Sequence, residues 1–256
     1  NLSTLRNRVT SLGFGTDSYI SGSYITKVGE EIGQFYGWVY EGIARTQEVL
    51  DNHATQEGAQ IGDCLYKDVN NDGKVDSEDQ VVLGSGMPKI NFGLNARFEY
   101  KRFDLSIATF GALNYHVSDD IYNSLNSCYG WGNKEVGMLD ANRFSEDGST
   151  YLSNVPRTYV TNSASLGWND LFSSRKIQNA AYWKIANVEL GYNFPDKWFD
   201  KYVSDVRFYI SAQNLHTFTG YHGYNVDYAG GTFTPGYNFC SYPTARTFMC
   251  GVHFTF

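Results

Sequence analysis

The chain has 256 residues and a net charge of −7 from 20 basic and 27 acidic side chains. No Lys/Arg cluster is present that could track phosphates, which argues against nucleic acid as a partner. Aromatic residues make up 16%, with 20 Tyr and 17 Phe, yet mean hydropathy is −0.39. That combination suits a transmembrane β-barrel, in which one strand face and all loops stay polar, and no apolar run approaches the roughly 20 residues of a membrane helix.

In chain order, Asn1 to Val9 lacks the charged-then-apolar pattern of a signal peptide. A strand is predicted near Leu2 to Val9, and because Asn1 already lies inside it, the chain is expected to be a fragment rather than a mature protein. Gly13-Phe14-Gly15-Thr16-Asp17-Ser18 is an incomplete Gly-rich fingerprint without a strand-helix context, so no nucleotide site is expected there.

The next informative segment is acidic. Asp68 to Asp79 places oxygen side chains at the first, third, fifth, ninth and twelfth positions of a calcium loop, namely Asp68, Asn70, Asp72, Asp76 and Asp79, with Gly73 sixth. Calcium takes six to eight oxygens, and alternate residues of a turning loop point theirs inward. Lys74, seventh, would offer its backbone carbonyl, and Val75 would anchor the loop to an apolar cluster. Asp79 stands where a helix-loop-helix site has Glu, which resembles dockerin-type loops. The expectation is a structural Ca2+; the bland alternative is a solvated acidic turn.

Clear strands follow. In Ile90 to Tyr100, Ile90, Phe92, Leu94, Ala96, Phe98 and Tyr100 alternate with Asn91, Gly93, Asn95, Arg97 and Glu99. A helix would mix Arg97 and Glu99 with the apolar residues, so a period of two wins. Lys101-Arg102 makes a tight hairpin into a strand from Phe103 to about Tyr115. Another runs from about Ala181 to Phe194, with Ala186, Val188, Leu190, Tyr192 and Phe194 on the apolar side; in that register Lys184 falls on the lipid side too. After a connector with Trp198, Phe199 and Tyr202, placed for an aromatic girdle, comes Val206 to Phe218. The chain ends in a strand in which Phe248, Cys250, Val252, Phe254 and Phe256 form the apolar face, a terminus resembling the last strand of bacterial outer-membrane barrels.

If that last strand descends to the periplasm, parity places the short connectors there. The long segments, about 13–89, 114–180 and 219–245, then all fall outside the cell, the asymmetry such barrels show. About six strands result, fewer than the 8 or so with which membrane barrels begin. Open edges in lipid would leave unpaired backbone groups costing several kcal/mol each, so further strands must come from elsewhere.

Chemistry is sparse. His53, His116, His216, His222 and His253 are scattered, no HExxH, GxSxG or P-loop occurs, and an enzyme is not expected. Pairs such as Asp119-Asp120 read as solvated loop acids. Arg97, Glu99, Glu189 and Arg207 share the inward face and read first as a salt-bridged wall, second as cargo contacts. Cys64, Cys128, Cys240 and Cys250 show no zinc spacing; Cys250 lies on the apolar face, and a disulfide among the others is compatible but unforced. Tyr221, Tyr224, Tyr228, Phe233, Tyr237, Phe239 and Tyr242 crowd one loop and can stack on sugars or peptides, or pack against a partner protein.

With these residues laid out, the chain resembles the C-terminal part of SusC/RagA-type TonB-dependent transporters of Bacteroidetes. The ordered motifs are Gly33-Gln34-Phe35-Tyr36-Gly37-Trp38 with Glu41-Gly42-Ile43, Gly62-Asp63 through Asp76, Tyr100-Lys101 with Phe103-Asp104-Leu105-Ser106, Ala181 through Tyr192, Ser211-Ala212-Gln213-Asn214-Leu215, Gly220-Tyr221, Gly223-Tyr224, Tyr242-Pro243, Arg246-Thr247 and the terminal Phe. Lys184 stands where Arg is usual, and Asn225-Val226-Asp227 replaces an Asp-Pro-Glu segment. The resemblance implies an all-β fold, the C-terminal portion of a large antiparallel, 22-stranded outer-membrane β-barrel whose N-terminal plug is absent from this chain. It implies import of oligosaccharides or oligopeptides with a SusD-like surface lipoprotein, energised by the TonB-ExbB-ExbD complex. A secreted calcium-stabilised carbohydrate-binding β-sandwich is the alternative, and it would bury the apolar strand faces in a core.

Overall fold

The structure, a computed structural model, describes the chain except for residues 14, 128–132, 139–143, 146–152, 158–166, 196–197, 199–204, 228–229 and 256. Phe199, Tyr202, Tyr228, Cys128 and Phe256 therefore lie outside the described residues.

One antiparallel sheet organises the fold. It comprises β1 (Leu2–Thr4), β8 (Ile90–Tyr100), β9 (Phe103–Leu113), β12 (Tyr182–Asn193), β13 (Asp205–Thr219) and β15 (Thr247–Thr255), hydrogen-bonded in that order. The predicted strands are all present, the first shorter than expected. Tyr100 pairs with Phe103 across Lys101-Arg102, and Lys101 takes a φ of 55°, the left-handed backbone that a two-residue hairpin needs. That turn, the end of β12 at Asn193 and the start of β13 at Asp205 lie at one end of the sheet. The long segments 5–89, 114–181 and 220–246 all leave from the other.

Register sets the two faces. Phe98, Leu105, Leu190, Ile210 and Cys250 align across the sheet, as do Tyr100, Phe103, Tyr192, Phe208 and Val252. This apolar face is bare: Leu94 is 62% exposed, Phe98 60%, Ile210 49% and Phe248 69%. A sandwich would have covered it. Aromatic rings mark both margins. At the hairpin end Phe103 meets Tyr192 at 4.8 Å, Tyr192 meets Phe194 at 5.0 Å and Phe194 meets Trp198 at 5.9 Å; at the loop end Trp183 stacks on Phe218 at 5.2 Å. Trp183 to Tyr192 spans about 30 Å of strand at about 3.3 Å per residue, or about 21–25 Å along the normal at a tilt of about 35–45°, which matches the apolar band of a membrane barrel.

One facing assignment needs correction. The register shifts between Ile185 and Asn187, so Ala186 is an extra residue opposite β9. Above this bulge Ile185 and Trp183 pair with Thr109 and Gly111 and join the apolar face, while Lys184 pairs with Phe110 on the polar one. Strict alternation put Lys184 toward lipid; one inserted residue exchanges the faces. Lys184 is instead 4% exposed and ion-paired.

The long segments fold into their own small structures. A four-stranded sheet is formed by β2 (Ser18–Ser21), β3 (Tyr24–Lys27), β4 (Gln34–Gly37) and β7 (Val81–Ser85), and a pair by β5 (Tyr40–Ile43) and β6 (Cys64–Tyr66). A third sheet joins β10 (His116–Asp119), β11 (Gln178–Asn179) and β14 (Tyr237–Asn238). Two short helices, α1 (Gln47–Asn52) and α2 (Asp120–Leu125), begin at the side-chain caps Thr46 and Asp119. Ala112, Tyr115, Val117, Ala180, Tyr221 and Val226 form a core where these segments meet the main sheet, and Cys64, Tyr66 and Val75 form another with Trp38, Tyr40 and Trp168 packed on it. No described helix is long and apolar enough to cross a membrane; strands are a separate matter.

Candidate functional site

The acidic loop is curled by its own side chains. Asp68 accepts from the amides of Asn71 at 2.6 Å and Gly73 at 2.9 Å, Asn70 from Asp72 at 2.9 Å, Asp72 from Lys74 at 3.0 Å, and Asp76 from Glu78 at 2.8 Å. Gly73 has a φ of 87°, a conformation that favours glycine. Asp79 is fully buried and accepts from Val69, Asn70 and Asp76, clasping start and end of the loop together. Lys74 Nζ lies 2.9 Å from Asp76 and 3.6 Å from Asp72. The amide of Glu78, then Lys74, hold the Asp76 carboxyl below its ordinary value, and the bond to Asp76 raises Lys74. Val75 anchors the loop to the Cys64–Tyr66 core as expected, and Trp38 Nε1 donates to the Asp76 carbonyl at 2.9 Å.

Hard oxygen donors in this order suit calcium. Among the described residues, however, no three His, Cys, Asp or Glu side chains converge as a ready metal cage. The oxygens of Asp68, Asp72, Asp76 and Asp79 face amides and Lys74, so an ion would have to share or displace those bonds.

Two buried carboxylates tie the loops together. Asp63 receives Arg157 Nε and Nη2 at 2.6 and 2.8 Å and Asn169 Nδ2 at 2.8 Å, and Asn169 Oδ1 in turn accepts from the amide of Cys64 at 2.6 Å. Asp119, 3% exposed, caps α2 and also accepts from Tyr221 Oη and from Asn238 Nδ2 at 3.0 Å. Burial pushes the Tyr221 hydroxyl above its ordinary value, which keeps it a donor. Reading Asp119 as a solvated acid missed this role; its place just before a helical turn was the available signal.

The polar face of the main sheet carries the expected ionic wall, enlarged by one residue. Arg207 bonds Asp104 through Nε at 3.1 Å and Nη2 at 2.5 Å, and Glu189 at 2.7 Å; Arg97 pairs with Glu99 at 2.8 Å. Asp104 was not singled out by sequence. A Cβ on Gly191 would stand 2.4 Å from both the Arg207 guanidinium and Asp104, so this glycine is the seat over which the guanidinium lies. Nearer the loop end, Lys184 Nζ meets Asp227 at 2.5 Å and the Phe110 ring at 5.7 Å. Beside them a cavity of about 590 Å3 opens among Met87, Phe110, Tyr115, Tyr182 and Asp227. Of the loop aromatics, Tyr221 is buried, whereas Tyr224, Phe233, Phe239 and Tyr242 are exposed. Cys240 and Cys250 are free thiols, the latter on the apolar face.

An antiparallel sheet that is apolar and aromatic-girdled on one face and charged on the other has the pattern of a transmembrane β-barrel wall. No protein-family model matches the chain. Over its whole length it is 28% identical to TonB-dependent receptor P3 of Formosa agariphila, covering 26% of that protein, and 24% identical to TonB-dependent receptor SusC of Bacteroides thetaiotaomicron, covering 24%. The RagAB peptide importer in its closed-closed state superimposes on the entire chain with a TM-score of 0.75 at 19% identity, over 26% of that chain; the open-open state gives 0.75 at 20%. The resemblance to SusC/RagA-type TonB-dependent transporters read from the residues is thus upheld. The chain spans about a quarter of the length of these relatives.

Proposed function

We propose that this chain is the closing part of an outer-membrane importer of the TonB-dependent kind. The observation that carries the reading is the six-stranded sheet whose apolar face is exposed, girdled by rings at both margins, and backed by an ionic polar face. In the full protein the open edges of β1 and β15 continue into further strands, and a 22-stranded barrel closes around a plug. The hairpin end faces the periplasm, and the segments about 13–89, 114–180 and 219–245 are extracellular. Cargo, an oligosaccharide or oligopeptide, enters past these segments beneath a SusD-like lipoprotein, with energy from the TonB-ExbB-ExbD complex. Fractionation of cells expressing the full-length protein, with heat-modifiable migration and TonB-dependent uptake as readouts, tests this; recovery in the soluble fraction would refute it and favour the sandwich.

The acidic loop is proposed as a structural calcium site, held by Asp68, Asn70, Asp72, the Lys74 carbonyl, Asp76 and Asp79. The support is the donor set and the loop already curled about Gly73. Terbium luminescence that calcium displaces, and that Asp72→Ala abolishes, would establish it; no luminescence from the folded protein would dismiss it.

A further inference from the structure

A second cavity, of about 410 Å3, lies outside the main sheet where three long segments meet. The β2–β3 turn contributes Ser23 and Tyr24, the start of α2 contributes Asp120 and Asn123, and the third segment Tyr237; Phe172 completes the wall. Two of its polar groups, on Asn123 and Asp120, are fixed as acceptors. The Asn123 amide nitrogen donates to Ser118 Oγ at 3.1 Å and to the Lys176 carbonyl at 3.3 Å; a carbonyl can only accept, so the amide is oriented with its oxygen left to accept. The Asp120 carboxylate makes no hydrogen bond or ion pair among the described residues. Lys176 also lines the cavity, but its Nζ is drawn to the Asp170 carbonyl at 2.5 Å and lies 3.8 Å from the Asp170 carboxylate. What remains is a half-buried carboxylate without a protein partner among the described residues, an amide oxygen, three aromatic rings and hydroxyls such as those of Ser23 and Thr234, which accept as readily as they donate. Such a set suits a group that is cationic and only donates: an ammonium or guanidinium, held by charge-assisted hydrogen bonds and by attraction to ring faces.

We infer that this cavity binds the basic side chain or amino terminus of a peptide, with Asp120 as the charge partner. The inference rests on the import reading above and chooses, within it, a basic peptide over a neutral saccharide. Calorimetric titration of the full-length protein in detergent is the test, with N-acetyl-Ala-Lys-Ala amide, N-acetyl-Ala-Gln-Ala amide and maltotriose as probes, so that the lysine carries the only cation offered. Ala-Lys-Ala is expected to bind most tightly and to weaken as salt rises. Asp120→Asn, which removes charge but no observed contact, should weaken it about tenfold and leave Ala-Gln-Ala unchanged, while Asp120→Glu restores most of the affinity. Equal binding of the two peptides, tighter binding of maltotriose, no binding of any probe, or indifference to Asp120→Asn would each overturn the inference. The import reading is judged separately, by outer-membrane fractionation and TonB-dependent uptake.

Discussion

The main sheet and the folded long segments are held together by opposite means. In the sheet, large apolar side chains stay exposed while two charged ones are buried: Asp104 is 5% and Lys184 4% exposed. In the long segments the order is the usual one, with Phe35, Cys64, Tyr66 and Tyr115 buried, and the buried carboxylates Asp63 and Asp119 each accept several hydrogen bonds. The difference shows that the two regions fold against different solvents. Water drives the second, and the first needs a hydrocarbon surround for its outward face.

The sharpest break of that comparison is a charge on the apolar face. Val188→Lys, midway between the Trp183 and Tyr192 margins and paired with Ile107 and Ala212, should cost on the order of 2–4 kcal/mol near the bilayer midplane, read as a fall in the heat-modifiable, membrane-assembled fraction. At the exposed loop residue Tyr242, 88% exposed, the same change to Lys should stay within about 0.5 kcal/mol. Equal effects at the two places would end the two-solvent account.

The long segments answer to polar pairing instead. Arg157→Ala leaves the buried Asp63 carboxylate without its bidentate partner, and about 1–3 kcal/mol of local stability should go with it. Faster proteolysis of the long segments with unchanged barrel assembly is the expected result. Gly191→Ala perturbs the sheet's polar face: the added methyl displaces the Arg207 guanidinium, a flexible tip, so about 1 kcal/mol is expected, seen as a lower urea midpoint for the membrane-assembled protein.

Legibility in the sequence followed the same division. Strands long enough to cross a bilayer repeat their alternation five times or more, and β8, β9, β12 and β13 were readable to within about two residues. β2 to β7, β10, β11 and β14 have two to five residues each, too few for a period to register, and apart from the local pairing of β2, β3 and β4 their partners lie far away in the chain. Lys184 was misplaced because nothing in Ala186 marks a bulge; a cation among apolar residues was the one sign of it. The calcium pattern was legible as spacing, but Asp79's role as a clasp depends on burial, which spacing does not encode. The cavity with Asp120 unites segments about a hundred residues apart, and no local pattern announces it.

The smallest expected effect concerns pH and again separates the regions. His116, on β10, sits against Gly84, where a Cβ would come within 2.8 Å of its ring. Burial first, and Lys89 second, push its pKa below the ordinary value, while a bond with the Ser85 backbone opposes them. A folded pKa below the unfolded one means that the unfolded chain binds more protons as pH falls through about 6.5. Stability of the β10 region is therefore full above that pH and declines below it, until the folded-state histidine also titrates. Asp76, depressed by the Glu78 amide and Lys74, loses its contribution only as pH drops below about 3.9. Between pH 8 and 5, amide exchange corrected for intrinsic rates should quicken in β10 and α2, hold steady in the acidic loop and in β8 and β9, and lose its pH dependence in His116→Gln. A uniform response across all of these would mean that the sheet and the long segments open as one unit, and the division between them would fail.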